Sequence, residues 1–183
     1  MSDIRIAVLV GSIRSESLNR ALAEGLEKLL PDGAGFEYAS LADLPPYNQD
    51  QDDDQPAPAK ALKALISGAD GVLFVTPEYN RSIPGVLKNA IDHASRPYGK
   101  SAFAGKPAGI VGISIGAIGT ACAQQHLRAI TGYLDMPTLG QPEVFLQAKD
   151  GLFDSDGGIG EGSRKFLQGW VDAYVAWVKK HRA

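Results

Sequence analysis

Two kinds of hydrophobic pattern alternate along the 183-residue chain. The first is a short run of apolar residues with few polar interruptions, which predicts a strand buried on both faces. Such runs occupy residues 4–10, 36–39, 71–76, 107–114 and 143–146. The second repeats an apolar residue every three or four positions, as Leu18, Leu22 and Leu26 do, and predicts an amphipathic helix. Helices are predicted over residues 18–30, 59–67, 84–95, 120–134 and 165–179.

The alternation of strands and helices predicts a parallel sheet covered by helices on both faces. Five strands and five helices favour a flavodoxin-like, doubly wound α/β fold with the strand order 2-1-3-4-5. In such a sheet, ligands bind beyond the carboxyl ends of the strands where the strand order reverses, here between the first and third strands. The loops that follow those two strands, residues 11–19 and 77–83, are therefore predicted to form a ligand site.

Two longer segments follow neither pattern. Residues 50–58 are acidic and contain proline, so they predict a solvated surface linker with no core residues rather than a metal site. Residues 147–162 are polar and rich in glycine and aspartate, so they predict a loop.

Composition limits the class of protein. With 44% hydrophobic residues, the chain can bury a sizeable core, and we expect one domain over residues 1–183. A net charge of −3 gives no basic surface for nucleic acid, and no apolar run approaches the roughly 18 residues that a membrane helix needs. Cys122 is the only cysteine, so an internal disulfide is impossible and no metal site is expected. The chain enters its first strand without a signal-peptide pattern, which predicts a cytoplasmic protein.

The loop after the first strand carries groups that suit an anion. Ser12, Ser17 and Asn19 offer hydroxyl and amide donors, and Arg14 offers a planar cationic fork. The start of the following helix adds unpaired N–H groups and the positive end of the helix dipole. Neither the P-loop nor the Gly-x-Gly-x-x-Gly signature is present, so a mononucleotide phosphate is the favoured ligand. The alternative is an ordinary strand-to-helix turn with a serine N-cap.

The loops after the third and fourth strands favour a flat heterocycle. Pro77, Glu78, Tyr79 and Asn80 combine a rigid residue, an acid, an aromatic ring and an amide, in a loop whose main chain could read the edge of a ring. The alternative for the loop is a sharp turn that caps the next helix. The alternatives for Glu78 alone are a capping acid and an oligomer contact. Residues 113–117 should close the pocket, although a flexible helix start explains their glycine equally well.

Two motifs resemble signatures of the NADPH-dependent FMN reductase family. The segments GSIR at 11–14 and SLNR at 17–20 resemble its FMN phosphate loop, and PEYNRSIPG at 77–85 with LKNAID at 87–92 resembles its second signature. The likeness spans about residues 4–146 and is strongest to the bacterial chromate and quinone reductases, a branch that includes azo-dye reducers. It implies FMN, with NADPH or NADH as electron donor, and a homodimer or homotetramer in which a neighbouring subunit borders the flavin.

The resemblance also assigns the cofactor contacts. The phosphate side of the site carries over to Ser12, Ile13, Arg14, Ser17, Leu18 and Asn19. The isoalloxazine side carries over to Pro77, Glu78, Tyr79, Asn80, Ile113 and Ser114. Members of the branch vary just after Asn80, so Arg81 leaves cofactor and substrate preference open.

A flavin carries the redox chemistry itself, so the protein need supply only binding, orientation and electrostatics. The expected activity is ping-pong hydride transfer from NAD(P)H to small-molecule acceptors: quinones, chromate, azo compounds or free flavin. No catalytic side chain is expected, and four residues are interpreted as non-catalytic: His93, His126, His181 and Cys122. The alternatives are a flavodoxin-like electron carrier and an FMN-binding sensor, neither of which would turn over NAD(P)H.

Overall fold

The structure is a computed structural model that describes residues 4–182. Its strands are β1 (Ile4–Val10), β2 (Ala34–Tyr38), β3 (Gly71–Val75), β4 (Ala108–Ser114) and β5 (Phe145–Gln147). Its α-helices are α1 (Leu18–Glu27), α2 (Ala57–Gly68), α3 (Gly85–Ala94), α4 (Ala121–Tyr133) and α5 (Glu161–His181), with one 3-10 turn at Gln49–Gln51. The strands form one sheet in the order β2-β1-β3-β4-β5, and each neighbouring pair is parallel.

Alternate side chains of β1 enter two separate cores, one on each face of the sheet. Ile6 and Val8 pack in the core that α1 and α5 cover, together with Trp170. Ala7 and Leu9 pack in the core that α2, α3 and α4 cover. Because both faces are covered, β1 is an almost unbroken apolar run, as the sequence pattern indicated. Strand order and helix placement confirm the predicted flavodoxin-like fold class. Within residues 4–182, none of these helices combines the length and apolarity needed to cross a membrane.

The first helix is shorter than predicted. Apolar spacing suggested residues 18–30, whereas α1 ends at Glu27. The N–H groups of Leu29 and Leu30 bond the carbonyls three residues before them, so the last turn tightens from α to 3-10 geometry. Leu29 nevertheless stays buried, which explains why the hydrophobic pattern outlasts the α-helix.

Both segments that lacked a pattern contribute to the packed structure. The prediction of no core residues in 50–58 was wrong, because Gln55 is buried and its Nε2 donates to the His93 carbonyl oxygen at 3.1 Å. A polar side chain can be buried where its hydrogen bonds are satisfied. In the segment 147–162, Leu152 and Ile159 are buried, and α5 begins at Glu161 rather than at residue 165.

Candidate functional site

Three loops meet at the carboxyl edge of the sheet. They are the β1–α1 loop (residues 11–17), the β3–α3 loop (76–84) and the β4–α4 loop (115–120). Val10 pairs with Val75, and Val75 pairs with Val111, so the three loops leave neighbouring strands. The Gly11 N–H extends this pairing by donating to the Val75 carbonyl oxygen at 2.8 Å. The predicted site residues lie in these loops, at the end of β4 or in the first turn of α1.

The β1–α1 loop presents a cation and a capped helix start. Ser17 is the N-cap of α1, since its Oγ accepts from the Arg20 N–H at 3.1 Å. This confirms the N-cap alternative, but a hydroxyl that accepts one bond still has its proton to donate to an anion. Arg14 is exposed and has no hydrogen bond or ion pair with any described residue. Ser12 and Leu18 are half-buried, and Ile13 is 63% exposed. The loop therefore keeps a free guanidinium beside the helix N-terminus.

Asn19 joins two of the loops. Its Nδ2 donates to the Ile113 carbonyl oxygen at 3.0 Å, and its Oδ1 accepts from the Ile113 N–H at 3.2 Å. Both groups are buried, and Ile113 lies on β4 beyond the last residue of β3. The carboxamide of Asn19 thus takes the place of a strand neighbour, and it fixes the first turn of α1 to the start of the β4–α4 loop.

The β3–α3 loop contains a tight reversal. Tyr79 and Ser82 exchange two backbone hydrogen bonds of 3.0 Å each, around Asn80 and Arg81. Both central residues are left-handed, with φ of 51° for Asn80 and 65° for Arg81. Asparagine tolerates this region, but arginine is uncommon there and the conformation is strained. Pro77 is half-buried, and its carbonyl oxygen accepts from the Thr76 hydroxyl at 2.7 Å.

The carboxylate of Glu78 turns away from the loop surface. Its side chain is only 7% exposed, and its Oε2 accepts from the Ala123 N–H at 3.0 Å. This places a negative charge at the N-terminus of α4, where the helix dipole favours it. Oε1 lies 3.7 Å from the Arg81 Nη1, which holds the reversal against the same helix. Glu78 is therefore a capping acid, but the helix it caps is α4 and not the next helix along the chain, α3.

One contact was missed from the sequence. The Nδ1 atom of His126, on α4, lies 3.0 Å from the Ser82 Oγ, so the imidazole touches the β3–α3 loop. No sequence signal could have found it, because the contact depends on how α4 packs beside that loop. Ser114 is half-buried, and its Oγ donates to the Gly116 carbonyl oxygen at 3.0 Å within the β4–α4 loop.

Large apolar side chains are exposed around the same edge. Ile115 is 82% exposed, and Tyr79 and Ile118 are also exposed. Exposed apolar groups clustered at one place are typical of a binding surface. The β1–α1 loop therefore offers a cation, helix N–H groups and the exposed Ile13, while the other two loops offer apolar surface and turned main chain. This donor set fits a phosphate at one end of a ligand and a flat ring at the other.

Comparison with known proteins identifies relatives over nearly the whole chain. The sequence model of the NADPH-dependent FMN reductase family matches residues 4–150. A Burkholderia 2-hydroxy-1,4-benzoquinone reductase is 50% identical, with 98% of each chain covered. A Pseudomonas putida quinone reductase is 46% identical, over 97% of this chain and 96% of the relative. The solved structure of FerB, a flavoenzyme NAD(P)H:(acceptor) oxidoreductase from Paracoccus denitrificans, superposes with a TM-score of 0.94 at 43% identity, covering 98% of this chain and all of that one.

Proposed function

This chain belongs to the NADPH-dependent FMN reductase family and is an FMN-dependent NAD(P)H oxidoreductase; we propose that quinones are the acceptors it reduces. The observation that carries the proposal is that the unpaired Arg14 lies beside the helix start of the β1–α1 loop, while exposed apolar side chains line the edge where the three loops meet. The names of the Burkholderia and Pseudomonas putida relatives support the choice of quinones. Chromate, azo compounds and free flavin are the further acceptors to be compared.

We place the FMN phosphate at the start of α1 and the ring against the other two loops. The phosphate end would be held by Ser12, Ile13, Arg14, Ser17, Leu18 and Asn19. The ring end would be held by Pro77, Glu78, Tyr79, Asn80, Ile113 and Ser114. When bound, FMN would supply the two-electron chemistry. The three loops would hold its ring at the carboxyl edge of the sheet, against their exposed apolar side chains.

Turnover separates this proposal from an electron carrier or a sensor. Anaerobic mixing of the FMN-loaded protein with NADPH should bleach the flavin absorbance, and a quinone should then restore it. Double-reciprocal plots against both substrates should be parallel, as expected when donor and acceptor use one site in turn. A flavin that stays oxidised with both NADPH and NADH would refute the proposed oxidoreductase cycle.

Acid–base catalysis by a side chain is not required. A general acid or base typically contributes about 10²–10⁴-fold to the rate. Replacing His93, His126, His181 or Cys122 should therefore leave kcat within roughly threefold. A loss of more than about a hundredfold in any one variant, with FMN still bound, would show that a catalytic side chain was overlooked.

We further propose that the chain forms an oligomer through α3 and α4. A groove of about 680 Å³ lies between these helices, and two exposed tyrosines border it, Tyr98 at 83% and Tyr133 at 79%. Exposed aromatic residues beside a groove are typical of an interface. Light scattering should give a homodimer or homotetramer rather than a 19.4 kDa particle. Replacing both tyrosines by serine should shift the mass toward the monomer, whereas Phe166→Ser on α5 should not.

A cytoplasmic location and a single domain over residues 1–183 belong to the same proposal. The single cysteine, which leaves no internal disulfide, agrees with a reducing compartment. Cell fractionation tests the location. One cooperative unfolding transition, seen alike by fluorescence and circular dichroism, tests the single domain.

A further inference from the structure

A second cavity lies on the other side of the β1–α1 loop from the β3–α3 and β4–α4 loops. It has a volume of about 500 Å³ and is bordered by the β1–α1 loop, the first turn of α1 and the segment that follows β2. Its polar lining comes from Ser12, Arg14, Arg20 and Ser40, and its apolar lining includes Ile13 and Leu41. Because β2 and β3 flank β1 on opposite sides, this cavity is separate from the proposed ring site but shares the phosphate loop with it.

The cavity has a net positive lining. Arg14 is unpaired among the described residues, and Arg20 reaches the cavity from α1. The Arg20 Nε donates to the Glu24 Oε1 at 2.6 Å, but both side chains are about half exposed, so this pair is weak and screened by solvent. One further carboxylate, Asp43, accepts from the Ser40 hydroxyl at 2.9 Å. In the described part of the chain, the lining itself thus contains two guanidinium groups and no carboxylate, while Glu24 and Asp43 lie beside it.

Stacking holds the Arg20 guanidinium over the strand end. Its Cζ lies 3.9 Å from the centre of the Tyr38 ring, which directs the side chain toward β2. The Tyr38 hydroxyl donates to the Glu27 Oε2 at 2.8 Å. Burial, reinforced by this carboxylate, raises the pKa of Tyr38, so the phenol stays neutral beneath the cation. Arg20 is therefore pre-positioned at the rim, and ordering it costs little when a ligand arrives.

We propose that this cavity binds the adenosine 2′-phosphate end of NADPH and that Arg20 gives the enzyme its preference for NADPH over NADH. A doubly charged phosphate suits the guanidinium of Arg20, and the exposed side chain of Ile13 offers apolar surface to the adenine. In dinucleotide-binding α/β folds, an arginine near the ribose accommodates the 2′-phosphate in the same way. The inference rests on the proposed function, since it requires a nicotinamide dinucleotide as donor.

Binding without turnover tests the inference directly. Titration calorimetry on the FMN-loaded protein would compare adenosine 2′,5′-bisphosphate with 5′-AMP, which lacks the 2′-phosphate. Arg20→Ala should weaken the bisphosphate about tenfold and leave 5′-AMP unchanged, because a charge-assisted hydrogen bond is lost. Glu24→Gln should strengthen bisphosphate binding, since it removes the competing carboxylate. Arg164→Ala, which removes another exposed arginine paired with an acid, is the matched control and should change neither ligand.

Kinetics provide the second readout. Arg20→Ala should raise the KM for NADPH about tenfold, with kcat and the KM for NADH nearly constant. Equal changes for both donors, or no change in the bisphosphate affinity, would overturn the assignment. Loss of bound FMN in Arg20→Ala would also overturn it, because Arg20 would then belong to the flavin phosphate site. A protein that binds the bisphosphate through Arg20 yet never reduces its flavin would instead disprove the proposed function alone.

Discussion

Replacing Asn19 by alanine should loosen the candidate site and lower the stability of the whole protein. The wild-type carboxamide satisfies both backbone groups of Ile113 on the side of β4 where β3 has already ended, while β5 pairs with β4 on the other side. Alanine leaves that N–H and that carbonyl buried without their partner. The same change also frees the first turn of α1 from the end of β4.

The magnitude follows from the two lost bonds. Each buried backbone group left unsatisfied costs about 1–3 kcal/mol, so the loss of both partners in Asn19→Ala should lower the free energy of unfolding by about 2–6 kcal/mol. For a protein of this size, such a loss corresponds to a fall in Tm of roughly 4–24 °C. Typical domains have about 5–15 kcal/mol of stability, so this loss is a large fraction of the total.

Urea unfolding of the apoprotein is the appropriate assay, because bound FMN would add stability by mass action. Gln125→Ala is the matched control: its exposed carboxamide donates to Glu143 at 3.0 Å, and losing it should cost less than about 0.5 kcal/mol. Riboflavin and FMN should both bind more weakly to Asn19→Ala, since the positions of two loops change. An Asn19→Ala apoprotein as stable as Gln125→Ala would show that the Ile113 pairing contributes nothing, and the argument would fail.

Three further outcomes are expected. Arg14→Ala should weaken FMN about ten- to hundredfold in a fluorescence titration and leave riboflavin unchanged, because only FMN carries the phosphate; equal losses would place Arg14 elsewhere. Gly109→Ala should lower the free energy of unfolding by about 1–3 kcal/mol in urea, since the new Cβ would lie 2.7 Å from the buried Tyr174 ring. Gly169→Ala, on the exposed face of α5, should instead raise that free energy by about 0.5–1 kcal/mol. Because burial raises the pKa of Tyr174, its contribution to stability is complete below the unfolded pKa of about 10 and is lost as the pH rises above it; Tyr174→Phe should reduce that alkaline loss.

The fold could be predicted from the sequence because a strand buried on both faces is a continuous run of apolar residues. β1 and β3 are nearly continuous apolar runs, and covered parallel strands produce that pattern. Where the apolar pattern is weaker, the observed element boundaries differ from the predicted ones. Residues 147–162 hold few apolar side chains, yet Ile159 packs against Gly25 so closely that a Cβ on that glycine would lie 2.7 Å away. Leu152 and Ile159 anchor a segment whose average composition predicts only a loop.

The location of the candidate site was likewise predictable, but the directions of its side chains were not. Topology alone puts the loops after β1 and β3 side by side, and Gly11 bonds Val75 there. Whether Glu78 faces a ligand or caps α4 depends on where the Ala123 N–H lies, 45 residues further along the chain. Asn19 is proposed as a cofactor contact, and its additional pairing with β4 could not be read from neighbouring residues.

The strained reversal at Asn80 and Arg81 shows how these distant contacts prepare the site. An arginine at a φ of 65° persists only where the surroundings determine the backbone. Here Glu78 caps α4 before the turn, Ser82 contacts His126 after it, and Tyr79 closes it through paired backbone bonds. Because α4 contacts both ends of the reversal, the backbone between them is fixed by contacts within the chain. Such preorganisation reduces the ordering cost of binding, which explains why a residue unsuited to the turn is tolerated at this position.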